Sequence, residues 1–268
     1  MPGTVDTLKK VLNHEADVLR AAADRLQQDQ ADKLCQLFQH LMDKGGSLVF
    51  SGVGKSGIVA TKLASTFSSL GLPSFFLHPI EALHGDLGRL SKNDVLVLLS
   101  KSGATEELMK MIPYVPVGSE FRVGLLGNAN SKIGEQCSLV LDCSVDREAC
   151  INNQAPTTSS TLAMAMGDAM AVLFEEFVGL SKEGFAANHP GGLLGKSLRL
   201  KVSDLMWKID DCPILSEGET LKTVILEMTN KPVGGCAICN NNNQLLGILV
   251  EGDIRRTFTK ANQGLETK

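Results

Sequence analysis

The chain has 268 residues, 43% hydrophobic and 21% charged, enough for one large domain plus a small one with packed cores, and too apolar for global disorder. Its net charge of −4 arises from both signs mixed along the chain, with no basic cluster, so nucleic acid is not expected as a partner. No apolar run reaches the ~18 residues of a membrane span, and no signal-peptide core opens the sequence, which points away from the membrane and secretion and toward the cytoplasm.

From Thr4 to Lys44 apolar residues recur at helical spacing, through Val11, Val18, Leu26, Leu34, Phe38 and Leu41, until Gly45-Gly46 ends the pattern. Strands and helices then alternate. The strands are expected at Leu48–Phe50, Ser74–Leu77, Val95–Leu99, Arg122–Leu126 and Leu139–Leu141, with helices near Ile58–Leu70, Thr105–Ile112 and Lys132–Gln136. Continuous apolar strands separated by helices describe an α/β fold, a doubly wound parallel sheet covered on both faces. A long helix rich in Ala and Met follows from about Ser159 to Leu180, its methionines read as core filling.

The pattern changes near residue 200. From Val202 an extended start leads to a helix at Thr220–Asn230, a strand at Gly235–Cys239, a turn at Asn240–Asn243, a strand at Gln244–Val250 and a helix at Asp253–Lys260. That β-α-β-β-α order sets residues 201–268 apart from 1–200. The seven cysteines are scattered and odd in number, as reduced thiols are; Cys236 and Cys239 form a lone C-x-x-C inside an apolar strand and are read as packing.

The turn Gly52-Val53-Gly54-Lys55-Ser56-Gly57 joins the first strand to its helix, which aims amides and a positive dipole end at one anion. A P-loop would need glycine where Val49 stands. A dinucleotide site would need an acid at the end of the next strand, which instead runs into His78-Pro79. A smaller phosphorylated ligand fits better. Two further hydroxyl-rich turns, Ser100-Lys101-Ser102-Gly103-Ala104-Thr105 and Thr157-Thr158-Ser159-Ser160-Thr161, belong to the same sheet edge, where open α/β sheets bind ligands. Acid/base candidates sit in loops as well: His84, Glu106-Glu107, Glu148 and His189, the last beside Pro190-Gly191-Gly192.

In order and spacing, Gly52–Gly57, His84-Gly85-Asp86, Ser100-x-Ser102-Gly103-x-Thr105-x-Glu107, Glu148-Ala149-Cys150, Ala155-Pro156-Thr157-Thr158-Ser159 and His189-Pro190-Gly191-Gly192 resemble the D-arabinose-5-phosphate isomerases, sugar-isomerase (SIS) domain enzymes with C-terminal cystathionine-β-synthase (CBS) motifs. The resemblance implies interconversion of D-ribulose 5-phosphate and D-arabinose 5-phosphate, the first step toward Kdo for lipopolysaccharide or capsule. It places Lys55, His84, Glu107, Glu148 and His189 at the active site and implies a homotetramer. Gly54, Ser56, Ser100, Ser102, Thr105, Thr157 and Thr158 are the expected substrate contacts. Ala104 departs from the family's usual glutamate.

The reaction moves a proton between C1 and C2 through an enediol, so it needs a base, an acid and charge stabilisation. Glu148 and His189 are the first choices for the base; Glu107 and His84 could open the ring or carry the hydroxyl proton, with Lys55 as a point charge. The division of steps stays open. No His/Asp/Glu triplet shows metal-ligand spacing, so neither metal nor cofactor is expected. Residues Val202–Lys260 resemble one CBS motif in which Asp253 is kept and Val250 replaces the ribose-binding threonine; a second motif should follow, yet the sequence stops at Lys268, as in a truncated chain or one whose single motifs pair between subunits. The alternatives are another phosphosugar isomerase, or a sugar-phosphate-sensing regulator, which would carry a DNA-binding segment that the N-terminal helices lack.

Overall fold

A computed structural model of the chain describes residues 4–191 and 200–260. It divides into two compact units, Met1–Leu198 and Arg199–Lys268.

The first unit opens with α1 (Thr4–Arg25) and α2 (Gln28–Lys44), within the stretch expected to be helical. The break is at Gln27, whose extended backbone starts α2 and whose N–H is taken by the Gln30 side chain at 3.0 Å. Gly45, left-handed at φ 65°, then ends α2. Arg25 Nε lies 2.9 Å from Asp142 Oδ2, its guanidinium also reaches the Ser144 carbonyl at 3.3 Å, and His14 Nε2 is 3.2 Å from the Arg147 carbonyl. The N-terminal helices thus grip the chain that leaves the last strand.

Five parallel strands follow: β1 (Leu48–Ser51), β2 (Ser74–Phe76), β3 (Val95–Ser100), β4 (Arg122–Leu126) and β5 (Leu139–Asp142), in the order β2-β1-β3-β4-β5. Alternate residues serve opposite faces, as pleating requires. Leu48, Phe50, Val97, Leu99 and Leu125 pack with Phe38 of α2, Phe67 of α3 (Lys55–Ser69) and Phe174 of α6 (Thr158–Val178). Val49, Leu96, Leu98 and Leu126 pack against Ala82 of α4 (Pro79–Leu83) and Leu108 and Met111 of α5 (Glu106–Met111). A short α7 (Lys182–Ala187) closes this part. The expected doubly wound sheet is what forms, with its direction reversing between β1 and β3. That crevice is where such sheets bind ligands. The expected Lys132–Gln136 helix is a single 3-10 turn, Gly134–Gln136, because the Ser131 hydroxyl takes the Gly134 N–H and closes it early. On the larger face α3 and α6 approach so closely that a Cβ on Gly167 would lie 2.2 Å from Leu63 Cδ1.

The second unit has α8 (Val202–Leu205), β6 (Ile214–Ser216), α9 (Leu221–Asn230), β7 (Gly235–Cys239), β8 (Leu245–Val250) and α10 (Glu251–Lys260). The extended start expected at Val202 is instead a helical turn, because Asp204 accepts the Lys201 N–H at 2.9 Å and caps it. β6 runs parallel to β7 and β8 antiparallel to it, around Val224, Met228 and Cys236. The Asn240–Asn243 turn carries Asn243 at φ 58°, with the Asn240 side chain accepting the Asn242 and Gln244 N–H groups at 2.9 Å. Asp253 is spent locally: it accepts the Val250 N–H at 3.1 Å and pairs with Arg256 at 2.5 Å, which holds its carboxyl below the ordinary value.

Candidate active site

Three loops at the carboxyl ends of β1, β3 and β5 build one cleft. After β1, Gly54 takes φ 60° and ψ −127°, a conformation that only glycine adopts without strain, and turns the chain directly into α3. Lys55 and Ser56 occupy the first turn of that helix, whose opening amides have no intrahelical acceptor. Lys55 is exposed and has no ion-pair partner among the described residues.

After β3, the buried Ser100 hydroxyl organises its own turn. It accepts the Gly103 N–H at 2.9 Å and lies 2.7 Å from Thr105 Oγ1 and 3.5 Å from Ser102 Oγ, while Ser102 accepts the Ala104 N–H at 3.2 Å. Three hydroxyls are thereby fixed side by side before a helix N-terminus, an arrangement suited to phosphate oxygens.

After β5, Glu148 is buried with its side chain 0% exposed. Lys101 Nζ approaches its Oε1 at 2.6 Å, and the Ser159 hydroxyl donates to the same oxygen. Its Oε2 accepts the Thr157 N–H at 2.9 Å, the Thr157 hydroxyl at 3.2 Å and the Ser159 N–H at 3.2 Å. Burial pushes this carboxyl up, but the bonds from Lys101, Ser159 and the two amides more than reverse that and hold it at about 2. Such a carboxylate is ionised near neutral pH, with most of its lone pairs engaged by Lys101, the 157–159 loop and the start of α6.

The cleft holds about 560 Å³ of empty space, its open mouth included, lined by Lys55, Ser56, Ser100 and Lys101 and by Pro156, Ser159 and Ser160. Cys143 lies at its floor, its thiol pushed up to about 12 by burial. Ser102 and Thr105 join through Ser100. Thr157 and Thr158, expected as substrate contacts, face the loop instead: both hydroxyls accept the Ala149 N–H, at 3.0 and 3.1 Å, and Thr158 is buried. Lys101, Ser159 and Ser160 lie within the expected ligand-binding turns but were not singled out as contacts. A lysine inside a run of hydroxyls was the available signal for the first.

Three expected residues are not brought into the cleft. Glu107 is half-buried in the first turn of α5, two residues past Thr105, with its carboxylate unbonded among the described residues. His84 is exposed just past α4, the helix that packs beside α5 on one face of the sheet. His189 stacks on Phe185 with ring centroids 4.0 Å apart, its Nδ1 2.9 Å from the Phe185 carbonyl. The neighbouring Asn188 donates to the Ser69 carbonyl at 3.3 Å. That anchors His189 beside the C-terminal end of α3, whereas Lys55 begins the same helix, roughly 21 Å away at 1.5 Å per residue. His189 therefore belongs to a different end of its own subunit than the cleft; Gly192 of its motif lies outside the described residues. Among the described residues no three His, Cys, Asp or Glu side chains gather as a metal site, and no helix is long and apolar enough to cross a membrane.

Residues 40–173 match the SIS domain model and residues 202–260 the CBS domain model. Arabinose 5-phosphate isomerase KdsD of Pseudomonas aeruginosa is 37% identical over 256 residues, covering 96% of this chain and 77% of that protein. Arabinose 5-phosphate isomerase KpsF of Escherichia coli is 36% identical over 259 residues, covering 97% and 78%. Among solved structures, an Escherichia coli CFT073 protein in complex with arabinose 5-phosphate superposes with a TM-score of 0.58 at 34% identity, covering 70% of this chain and 99% of that one.

Proposed function

The chain belongs to the arabinose 5-phosphate isomerases, SIS-domain proteins with a CBS unit, and from that premise we propose that it interconverts D-ribulose 5-phosphate and D-arabinose 5-phosphate, the step that leads toward Kdo. The observation that carries this reading is the convergence of the Ser100–Ser102–Thr105 hydroxyls with Lys55, Ser56 and the start of α3 in one cleft. The phosphate sits on that turn and on the amides after Gly54. The carbon chain then extends toward Lys55 and the loop at Pro156–Ser160.

In the ketose-to-aldose direction a base removes a proton from C1, the enediol forms, a proton is returned to C2, and the O1 proton ends on O2. Lys55 lowers the cost of negative charge on the enediol oxygens. Glu148, already a carboxylate with its lone pairs engaged, holds the loop and α6 in place. Proton transfer at carbon falls to His189 of a neighbouring subunit, and Glu107 and His84, outside this chain's own cleft, serve the ring oxygen and the hydroxyl protons across the same subunit contact. The active species is then a homo-oligomer, a tetramer in this reading, acting in the cytoplasm, where its seven cysteines remain free thiols.

The test is to incubate the purified protein with ribulose 5-phosphate in D2O and follow the products by NMR. Arabinose 5-phosphate carrying solvent deuterium at C2 supports both substrate and enediol route. Turnover of a different phosphosugar with none of this one overturns the substrate assignment.

A further inference from the structure

The β3–α5 turn carries a cation whose placement is not explained by packing. Lys101 sits between Ser100 and Ser102, the hydroxyls that organise the turn, and its side chain lines the cleft with Lys55 and Ser56. Its Nζ is 2.6 Å from Glu148 Oε1, yet 48% of its side chain remains exposed while that of Glu148 is 0% exposed. One N–H of the ammonium is thus directed into protein and two are left for the cleft. Glu148 cannot swing to follow solvent, because the Thr157 and Ser159 amides and both their hydroxyls also hold it. A buried carboxylate fixed by four other donors is a rigid post, and it pins a long side chain that would otherwise sample many rotamers. No carboxylate competes within the turn, since the side chain of Ala104 is a methyl group and Glu106 is paired outward with Lys110 at 2.6 Å.

We propose that Lys101 is a second phosphate-binding cation of the cleft, beside Lys55, and that Glu148 is the positioning residue that aims it. The inference rests on the sugar-phosphate reading of the cleft and adds a specific ligand group to it. A phosphomonoester carries about −1.5 to −2 charge at pH 7. Lys55 alone leaves much of that charge to be met by neutral hydroxyls and amides; Lys101, although its pair with Glu148 is net neutral, adds the N–H groups of an ammonium held at the cleft. Because the phosphate does not change during isomerisation, this contact is made equally in ground and transition states. It acts on KM and leaves kcat nearly untouched.

The experiment measures inorganic phosphate affinity of the full-length protein by calorimetry at pH 7 and low salt, together with KM and kcat for arabinose 5-phosphate. The variants are Lys101→Met, Lys101→Arg, Glu148→Gln and the double variant Lys101→Met/Glu148→Gln. Lys101→Met should weaken phosphate and raise KM in step by at least ~10-fold, as loss of a charge-assisted hydrogen bond does, with kcat within about threefold. Lys101→Arg should restore most of the affinity. Glu148→Gln should weaken phosphate as well, and the double variant should bind no more weakly than Lys101→Met, since two residues acting through one contact are not additive. Should Lys101→Met fail to fold with its buried carboxylate unpaired, the neutral double variant carries the same phosphate measurement. Wild-type phosphate affinity in either variant lacking Lys101, or a fall in kcat with KM unchanged, overturns the cation assignment. A Glu148→Gln protein that keeps its phosphate affinity but loses kcat overturns the positioning role. If the wild-type protein binds phosphate with this pattern and leaves arabinose 5-phosphate unconverted, the cation stands and the isomerase reading falls.

Discussion

Glu148 makes the stability of the protein depend on acid in a way that can be calculated. Its carboxyl is held at about 2 against an ordinary value of 4.5. At about 1.4 kcal/mol per pH unit the difference amounts to about 3 kcal/mol of folding free energy. Because the folded value is the lower one, this contribution is complete above about 4.5 and is lost as pH falls toward about 2. At pH 3 a two-state titration between those limits leaves under half of it. Glu148→Gln removes the titration together with the ion pair to Lys101. Urea unfolding of wild type and variant, followed by circular dichroism, should show the variant less stable by about 3 kcal/mol at pH 7 and the gap at least halved at pH 3. The comparison isolates Glu148, since every other carboxyl titrates in both proteins. A gap of the same size at the two pH values would refute the reasoning, because the loss would then come from packing and not from charge.

His189→Ala should lower kcat by at least ~100-fold, the scale of a lost general acid or base, with little change in thermal unfolding. Mixing His189→Ala and Lys55→Ala subunits by co-expression should restore part of the activity, since some clefts then draw both intact residues from different chains; no recovery in mixed oligomers refutes the shared site. Gly167→Val should lower the melting temperature by several degrees, because added methyls force Leu63 away from the α3–α6 contact at a cost of about 1–3 kcal/mol; an unchanged melting curve shows that contact to be soft. Residues 1–200 alone should keep the kcat/KM of the full chain, as every proposed cleft residue precedes that point. A folded, oligomeric truncation without activity shows that the C-terminal unit serves the site.

The parts of the fold legible in sequence were those written in local periodicity. Val95–Leu99 is buried on both sides and so reads as an unbroken apolar run. The glycine turn after β1 and the hydroxyl turn after β3 were found because helix starts at sheet edges need those residue types. What escaped was set elsewhere. The break at Gln27 has no glycine or proline to announce it and depends on one side chain reaching back to an amide. The Lys101–Glu148 pair joins residues 47 apart in the chain. Nothing near Glu148 distinguishes a solvated loop acid from a buried one. His189 stood out in sequence for its Pro-Gly-Gly context, but the end of α3 to which it is tied is a matter of tertiary packing.

The grip of α1 on the segment after β5 has a consequence for slow motion. The chain from Asp142 to Arg147 leads straight to Glu148, and its carbonyls at Ser144 and Arg147 are held by Arg25 and His14. Opening that segment therefore requires α1 to detach or to give up those bonds, so the two should exchange amide hydrogens as one cooperative unit. Fraying of an amphipathic N-terminal helix, ordinarily inconsequential, then becomes a route by which solvent reaches the buried carboxylate. Substitutions at Arg25, far from any substrate atom, would surface as a faster-breathing loop before any change in the folded average became visible.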